Sequence, residues 1–118
     1  MTVQIYGKPK SFDCQKAERF FKERGITLQK IEILRYPLAG RALDSVASAV
    51  GLRKLIDTKA KSYQKSNLQF LMTDAAVKTA LTANPDCFLC PIVRWNGKAT
   101  VGYCPDVWQE WIKLAKEE

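Results

Sequence analysis

The order in which two kinds of apolar periodicity follow each other constrains this chain most. Thr2–Tyr6 alternates apolar and polar residues, as a β-strand does. Ser11 can cap a helix that begins at Phe12 and ends near Gly25. Thr27–Leu34 then returns to a period of two. A strand, a helix and a strand joined by short connections predict a βαβ unit with parallel strands and a right-handed crossover.

The C-terminal third carries two more strand patterns and a last helix. Pro91–Trp95 and Ala99–Tyr103 flank Asn96-Gly97, a pair typical of type I′ hairpin turns, so these strands should be antiparallel. Pro105 suits the first turn of the final helix. The predicted order is β-α-β, then β-β-α, with a small mixed four-stranded sheet. The length of 118 residues suits a single domain over residues 1–118.

The middle of the chain, at about residues 38–83, is predicted to be helical throughout and to form an insertion. Leu43, Val46, Ala47 and Val50 lie on one apolar face that ends before the next glycine. The remaining expectations are a short helix with Leu55 and Ile56, another with Leu68, Leu71 and Met72, and a helix capped by Thr73 that ends before Asn84-Pro85.

Composition narrows the class of protein. Apolar residues make up 47% of the chain and charged residues 26%, values typical of a globular protein. The start, MTVQIYGKPK, has no apolar segment after a basic one, so we expect no signal peptide and a cytoplasmic location. Thiols stay reduced there. The four cysteines are therefore expected to be free, redox-active or metal-binding rather than structural disulfides.

The charged residues limit the chemistry further. The chain has no histidine, which removes the commonest general base, nucleophile activator and metal ligand. The net charge is +7, and part of it lies between Arg53 and Lys65, where Asp57 is the single acid. This stretch is either a solvated helix surface or a docking surface. Because no nucleic-acid motif is present, we expect no direct contact with nucleic acid.

Several segments in this order resemble the arsenate reductase (ArsC)-like family, which also contains the Spx-type transcription regulators and has a thioredoxin fold. The resemblance covers nearly the whole chain. It therefore implies an α/β, thioredoxin-like fold with the helical insertion at 38–83. The matching segments are Tyr6, Pro9, Ser11, Cys14 and Gln15-Lys16-Ala17, then Pro37-Leu38, Leu55–Lys59, Asn84-Pro85, Pro91-Ile92-Val93 and Val101-Gly102-Tyr103.

The chain departs from the family pattern at its reactive positions. The resemblance places the family's nucleophilic cysteine at Ser11 and its oxyanion-binding arginines at Cys90 and about Cys104. A serine hydroxyl needs a base to attack, and a neutral thiol does not replace a guanidinium group. We therefore do not expect classical arsenate reduction.

Cys14 should lie in the first turn of the first helix. One interpretation is a reactive thiolate, since a helix N-terminus favours negative charge and Lys10 and Lys16 lie nearby in sequence. The other is a small buried apolar residue. Ser11 is either a plain helix cap or a hydrogen-bond donor to a bound anion or thiolate.

Cys87 and Cys90 form a Cys-x-x-Cys pair directly before Pro91. Such a pair is redox-active, metal-binding or merely buried. In the thioredoxin fold the proline corresponding to Pro91 is typically cis and lies against the active loop. The resemblance therefore implies that Cys14, Cys90 and Cys104 converge at one end of the sheet. These thiols can then form a switchable disulfide such as Cys14–Cys90, or together with Cys87 bind Zn²⁺ or an iron–sulfur cluster. Because the spacing matches no known metal motif, we expect no metal, and no cofactor beyond glutathione as a co-substrate.

Two functions follow from these patterns. The first is a thiol redox protein, with Cys14 attacking a disulfide, Cys90 or Cys104 resolving it, and Pro91 shaping the groove. Glutathione or a thioredoxin-like protein would supply the electrons. The alternative is a regulatory adaptor like Spx, which docks on a protein partner such as RNA polymerase, through the basic stretch Arg53–Lys65.

Overall fold

The computed structural model describes residues 1–117. The strands are β1 (Thr2–Gly7), β2 (Thr27–Glu32), β3 (Ile92–Trp95) and β4 (Lys98–Val101). The α-helices are α1 (Phe12–Glu23), α2 (Gly40–Val50), α3 (Ser62–Lys65), α4 (Asp74–Ala83) and α5 (Pro105–Glu117). Short 3₁₀ turns cover Leu52–Leu55, Leu68–Phe70 and Pro85–Cys87.

The strands form one mixed sheet in the order β2-β1-β3-β4. β1 and β2 are parallel, whereas β3 runs antiparallel to both β1 and β4. Asn96 and Gly97 have φ angles of 49° and 78°, the positive values that a type I′ turn requires at both positions. The predicted α/β class, the parallel βαβ unit and the antiparallel hairpin are confirmed. The C-terminal end of β1, the start of β3 and the end of β4 consequently share one end of the sheet.

Apolar side chains pack on both faces of this sheet. Successive residues of β3 belong to different clusters, since Ile92 packs with the insertion and Val93 packs with α1 and α5. On the second face the Trp108 ring centroid lies 5.1 Å from that of Phe21. The buried Trp108 indole N–H donates to Thr100 Oγ1 over 2.8 Å, so its polar group is satisfied inside the core.

The insertion is not helical throughout, so this prediction was wrong in part. Ile56 was expected in a short helix, but it forms an antiparallel bridge with Phe88. Leu89 N–H donates to Leu55 O, and Asp57 N–H donates to Cys87 O, both over 2.7 Å. Extended backbone is favoured here because these long-range hydrogen bonds satisfy groups that a helix would have paired locally.

Several element boundaries also differ from the predictions. Leu71 and Met72 follow their 3₁₀ turn rather than lying in a helix. β2 ends at Glu32, because the Tyr36 N–H donates to Glu32 O over 2.8 Å and closes a turn that contains Leu34. β4 ends at Val101, and the next residue, Gly102, has a φ of 84°.

β2 lies at the open edge of the sheet. It pairs with β1, and within residues 1–117 no strand pairs with its other side. Lys30 of this strand forms an ion pair with Glu18 of α1, at 3.4 Å. No helix in the described part of the chain is both long enough and apolar enough to span a membrane.

Candidate thiol site

The turn from β1 into α1 positions Cys14. Ser11 Oγ accepts a hydrogen bond from the Cys14 N–H over 3.3 Å, so Ser11 caps α1 as the sequence predicts. Cys14 is 4% exposed. A Cβ atom on Gly7 would lie 3.2 Å from Cys14 Sγ, tighter than ordinary van der Waals contact. Glycine at the end of β1 therefore leaves room for the thiol against the strand.

Cys90 lies in the same apolar cluster as Cys14. Tyr6 from β1 and Cys87 also belong to this cluster. The Cys90–Pro91 peptide bond is cis, as the family resemblance implies. Cys14 thus shares one apolar cluster with Cys90, the residue that precedes the cis Pro91.

Burial keeps the thiols of Cys90 and Cys87 protonated. Burial raises the pKa of Cys90 to about 12, and Cys14 and Asp57 add to this, while Lys8 acts in the opposite direction. Burial also raises the pKa of Cys87, helped by the neighbouring Asp86 carboxylate. Both groups are therefore neutral thiols near pH 7.

Cys104 lies at the same end of the sheet but in different surroundings. It follows β4 and packs against the cluster beneath α1 and α5, rather than against the cluster of Cys14 and Cys90. Its Sγ lies 3.4 Å from Val101 O, which accepts the S–H hydrogen bond. Burial raises the pKa of this thiol as well. The residues that the structure groups are Cys14, Cys87 and Cys90.

Cys14 is one of the residues that line a cleft of about 340 Å³. Gly7, Lys8 and Pro9 line one part of the cleft, and Ile31 of β2 lines another. Its charged groups are of both signs, because Lys8 and Lys30 lie with Glu18 and Glu32. The cleft therefore borders both the end of β1 and Cys14.

Lys8 is a site residue that the sequence reasoning missed. Its Nζ donates to Asp86 O over 2.7 Å and pairs with the Asp57 carboxylate at 3.3 Å. These bonds join the loop before Cys14 to the insertion and to the segment that carries Cys87. The only sequence signal was Asp57, the single acid in a basic stretch. Nothing in the local pattern identified a partner 49 residues away.

The two lysines expected near Cys14 lie on the surface. Lys10 is exposed, with a φ of 63° in the loop before α1. Lys16 is also exposed, and its Nζ lies 5.7 Å from the centroid of the Tyr103 ring. Lys16 therefore faces the segment between β4 and α5. Residues 1–117 contain no group of three or more cysteine, aspartate or glutamate side chains arranged to hold a metal ion.

A four-stranded mixed sheet with a cysteine-bearing turn after β1 and a cis proline before β3 defines a thioredoxin-like fold. The ArsC family model matches residues 6–111. The chain therefore belongs to the ArsC family, as the sequence motifs indicate.

Individual relatives cover most of the chain. A structure described as arsenate reductase from Vibrio cholerae is 27% identical, with a TM-score of 0.83, and the match covers 93% of this chain and 97% of that one. Global transcriptional regulator Spx 2 of Oceanobacillus iheyensis is 30% identical over 90% of this chain and 80% of its own. The uncharacterized protein YfgD of Escherichia coli is 28% identical over 88% of this chain and 91% of its own.

Proposed function

We propose that this chain is a thiol–disulfide exchange protein that keeps the ArsC-family fold and uses different reactive groups. The observation that carries the proposal is the shared position of Cys14 and Cys90 in one cluster beside the cis Pro91. Cys14 lies in the first turn of α1, at the positive end of the helix dipole. The cleft beside it is open to a partner.

The same residues argue against classical arsenate reduction. Ser11 occupies the position of the family's nucleophilic cysteine, and its hydroxyl accepts a hydrogen bond as a helix cap. The sequence has no histidine to activate it. Cys90 and Cys104 stand where the family has arginines, and both are neutral thiols rather than cations that hold an oxyanion.

The proposed reaction is a two-electron exchange. The Cys14 thiolate attacks one sulfur of a partner disulfide, forms a mixed disulfide and releases the other sulfur as a thiolate. Cys90 then attacks Cys14 Sγ and forms the Cys14–Cys90 disulfide, while its proton goes to the departing partner thiolate. Two glutathione molecules, or a thioredoxin-like dithiol, reduce this disulfide and become a disulfide themselves. No cofactor is required.

The surrounding residues have defined roles in this proposal. Pro91 shapes the wall next to Cys90, and Lys8 supplies the positive charge that favours a Cys90 thiolate. Lys10 and Lys16 contribute positive potential at the surface, where an anionic co-substrate such as glutathione would approach. Cys104 is the alternative resolving residue, although it packs in the other cluster.

Mass spectrometry after oxidation tests the thiol pair. The reduced protein is treated with glutathione disulfide and its disulfides are mapped in the wild type, Cys14→Ser, Cys90→Ser and Cys104→Ser. We expect a Cys14–Cys90 disulfide in the wild type and in Cys104→Ser. Cys90→Ser should instead retain glutathione on Cys14, whereas a Cys14–Cys104 disulfide in this variant would identify Cys104 as the resolving residue.

A thiol titration can contradict the redox proposal. If Cys14, Cys90 and Cys104 all react with an aromatic disulfide no faster than free cysteine at neutral pH, the redox proposal fails. Parallel assays of arsenate reduction and general disulfide reduction, each with glutathione, show which substrate class is turned over. Arsenate turnover would contradict the argument made from Ser11.

A second candidate function is a regulatory binding module. The observation that favours it is the 30% identity to global transcriptional regulator Spx 2, together with the exposed basic stretch Arg53–Lys65. A protein partner such as RNA polymerase would be bound without thiol turnover. A pull-down in which the partner is retained by Cys14→Ser supports the module, and the absence of any retained partner counts against it.

A further inference from the structure

Two large apolar side chains stand exposed on the insertion, which also carries several exposed cations. Phe70 is 71% exposed and Met72 is 91% exposed, so neither contributes much to the core. Basic residues on the same segment are also exposed. We call this region the insertion surface and define it by Arg53, Lys59, Lys61, Lys65, Phe70 and Met72.

The insertion surface is held in place by the fold. The Arg53 guanidinium donates to Leu71 O over 3.0 Å and joins the two ends of the segment. Leu68, next to the exposed pair, is fully buried in the cluster of Cys14 and Cys90. Phe70 N–H donates to Asn67 O over 2.9 Å within the 3₁₀ turn. Phe70 and Met72 are therefore presented by anchored backbone.

The cations of the insertion surface form no ion pairs within the described chain. Asp57, the acid within the stretch, is paired with Lys8 at 3.3 Å. The other ion pairs among residues 1–117 are Lys30–Glu18 and Lys78–Asp44. The cations of the insertion surface thus have no carboxylate partner within ion-pair distance in the described chain.

We propose that the insertion surface docks an acidic protein segment that also presents apolar side chains, an inference that rests on the binding-module function proposed above. Aromatic residues, methionine and arginine are the types enriched where proteins meet. Burying Met72 and Phe70 would supply the hydrophobic contribution. Carboxylates on the partner would complement the cations and set its orientation.

Two other occupants fit the surface less well. A second copy of the chain carries the same net charge of +7 and would bring two positive surfaces together. A nucleic acid would use the cations through its phosphates. It would give no role to Met72, the most exposed of the large apolar side chains.

Photo-crosslinking identifies the occupant directly. Benzoylphenylalanine replaces Phe70 in the full chain, and a control protein carries it at Phe12, which is 78% exposed and lies on α1. Both are irradiated in lysate of the cells that carry this gene, and the attached peptides are sequenced by mass spectrometry. We expect about tenfold more product at position 70 than at position 12, with peptides rich in Asp or Glu and apolar residues.

Binding to the crosslinked peptide then tests the chemistry. The peptide is synthesised and titrated with the wild type, Met72→Ser, Lys61→Glu and a control variant, Lys22→Glu, in which an exposed cation of α1 is reversed. We expect about tenfold weaker binding for Met72→Ser and Lys61→Glu, which corresponds to about 1.4 kcal/mol. Lys22→Glu should bind like the wild type, and added salt should weaken binding to the wild type.

Different results would contradict the docking site and the binding-module function on which it rests. Equal crosslinking at positions 70 and 12, products with nucleic acid, or products with this chain itself would each overturn the insertion surface as the docking site. A partner that is still retained in the pull-down would then leave the binding module intact. Without any retained partner, the binding module itself fails.

Discussion

Cys14 combines two properties that the sequence presented as alternatives. Its side chain is almost completely buried, yet it forms part of the wall of the 340 Å³ cleft. A small side chain can do both where the adjoining backbone is glycine, as at Gly7. Burial therefore does not decide between a packing role and a reactive role. The thiol chemistry stays a prediction that the oxidation experiment tests.

The pKa of Cys90 makes stability depend on pH. The pKa is about 12 in the folded chain and ordinarily 9.0. Because the folded pKa is the higher one, the contribution is fully present below pH 9 and is lost as the pH rises toward 12. Between pH 8 and pH 10 the wild type should lose about 1 kcal/mol more unfolding free energy than Cys90→Ala.

Urea unfolding of the reduced proteins measures this difference. Only the change with pH is compared, since Cys90→Ala also removes buried atoms and lowers stability at every pH. Between pH 6 and pH 8 the two proteins should change alike, which serves as the control. Equal losses between pH 8 and pH 10 would mean that Cys90 ionises in the folded protein as readily as in the unfolded one.

At the scale of elements, two helices begin with the same device. Ser11 caps α1 and Thr73 caps α4, where its Oγ1 accepts from the Ala76 N–H over 3.2 Å. Ser11→Ala and Thr73→Ala should each lower the unfolding free energy by about 1 kcal/mol, because each leaves backbone N–H groups of a first turn without their acceptor. Thermal and urea unfolding measure both.

The conservative variant Ser11→Asp separates capping from chemistry. Aspartate is as good a cap as serine, so it should restore most of the stability lost in Ser11→Ala. If Ser11→Ala costs nothing while Thr73→Ala costs about 1 kcal/mol, the hydroxyl of Ser11 serves something other than the helix.

The sequence predicts best those elements whose signals are local. Residues close together in sequence determine the helix caps, the Asn96-Gly97 turn and the periodicity of β1 and α1. The structure has each of these features. Ile56 was assigned to a helix because the backbone bonds that extend this segment come from residues about thirty positions further along the chain. Such pairing leaves no local pattern.

For the candidate site, too, the sequence predicted some features and missed those that depend on distant contacts. The family resemblance located Cys14, Cys90 and Pro91, and strand order placed their segments at one end of the sheet. The face on which each side chain packs was not predictable from spacing, and Cys104 packs on the other face from Cys90. The bonds of Lys8 to distant segments could not be read from sequence either.

At the scale of the whole molecule, one sheet is shared by two apolar clusters. Leu81→Ala, in the cluster of the insertion, should lower the unfolding free energy by about 3 kcal/mol, because Leu81 is fully buried. All three tryptophans lie in or against the other cluster. Tryptophan fluorescence and far-ultraviolet circular dichroism should nevertheless shift together, since both faces depend on the same strands.

Leu114→Ala is the matched control. Leu114 is 42% exposed on α5, so its truncation should change stability by no more than about 0.5 kcal/mol. Fluorescence that retains its wild-type midpoint in Leu81→Ala, while circular dichroism moves, would show that the two faces unfold independently.

The open side of β2 has a consequence beyond the single molecule. An unpaired strand edge is a template on which further copies can stack into a growing fibril. Each chain carries a net charge of +7, so two copies that approach along this edge repel each other. Electrostatic repulsion thus opposes polymerisation through this edge. Concentrated salt screens that repulsion and should therefore promote polymerisation.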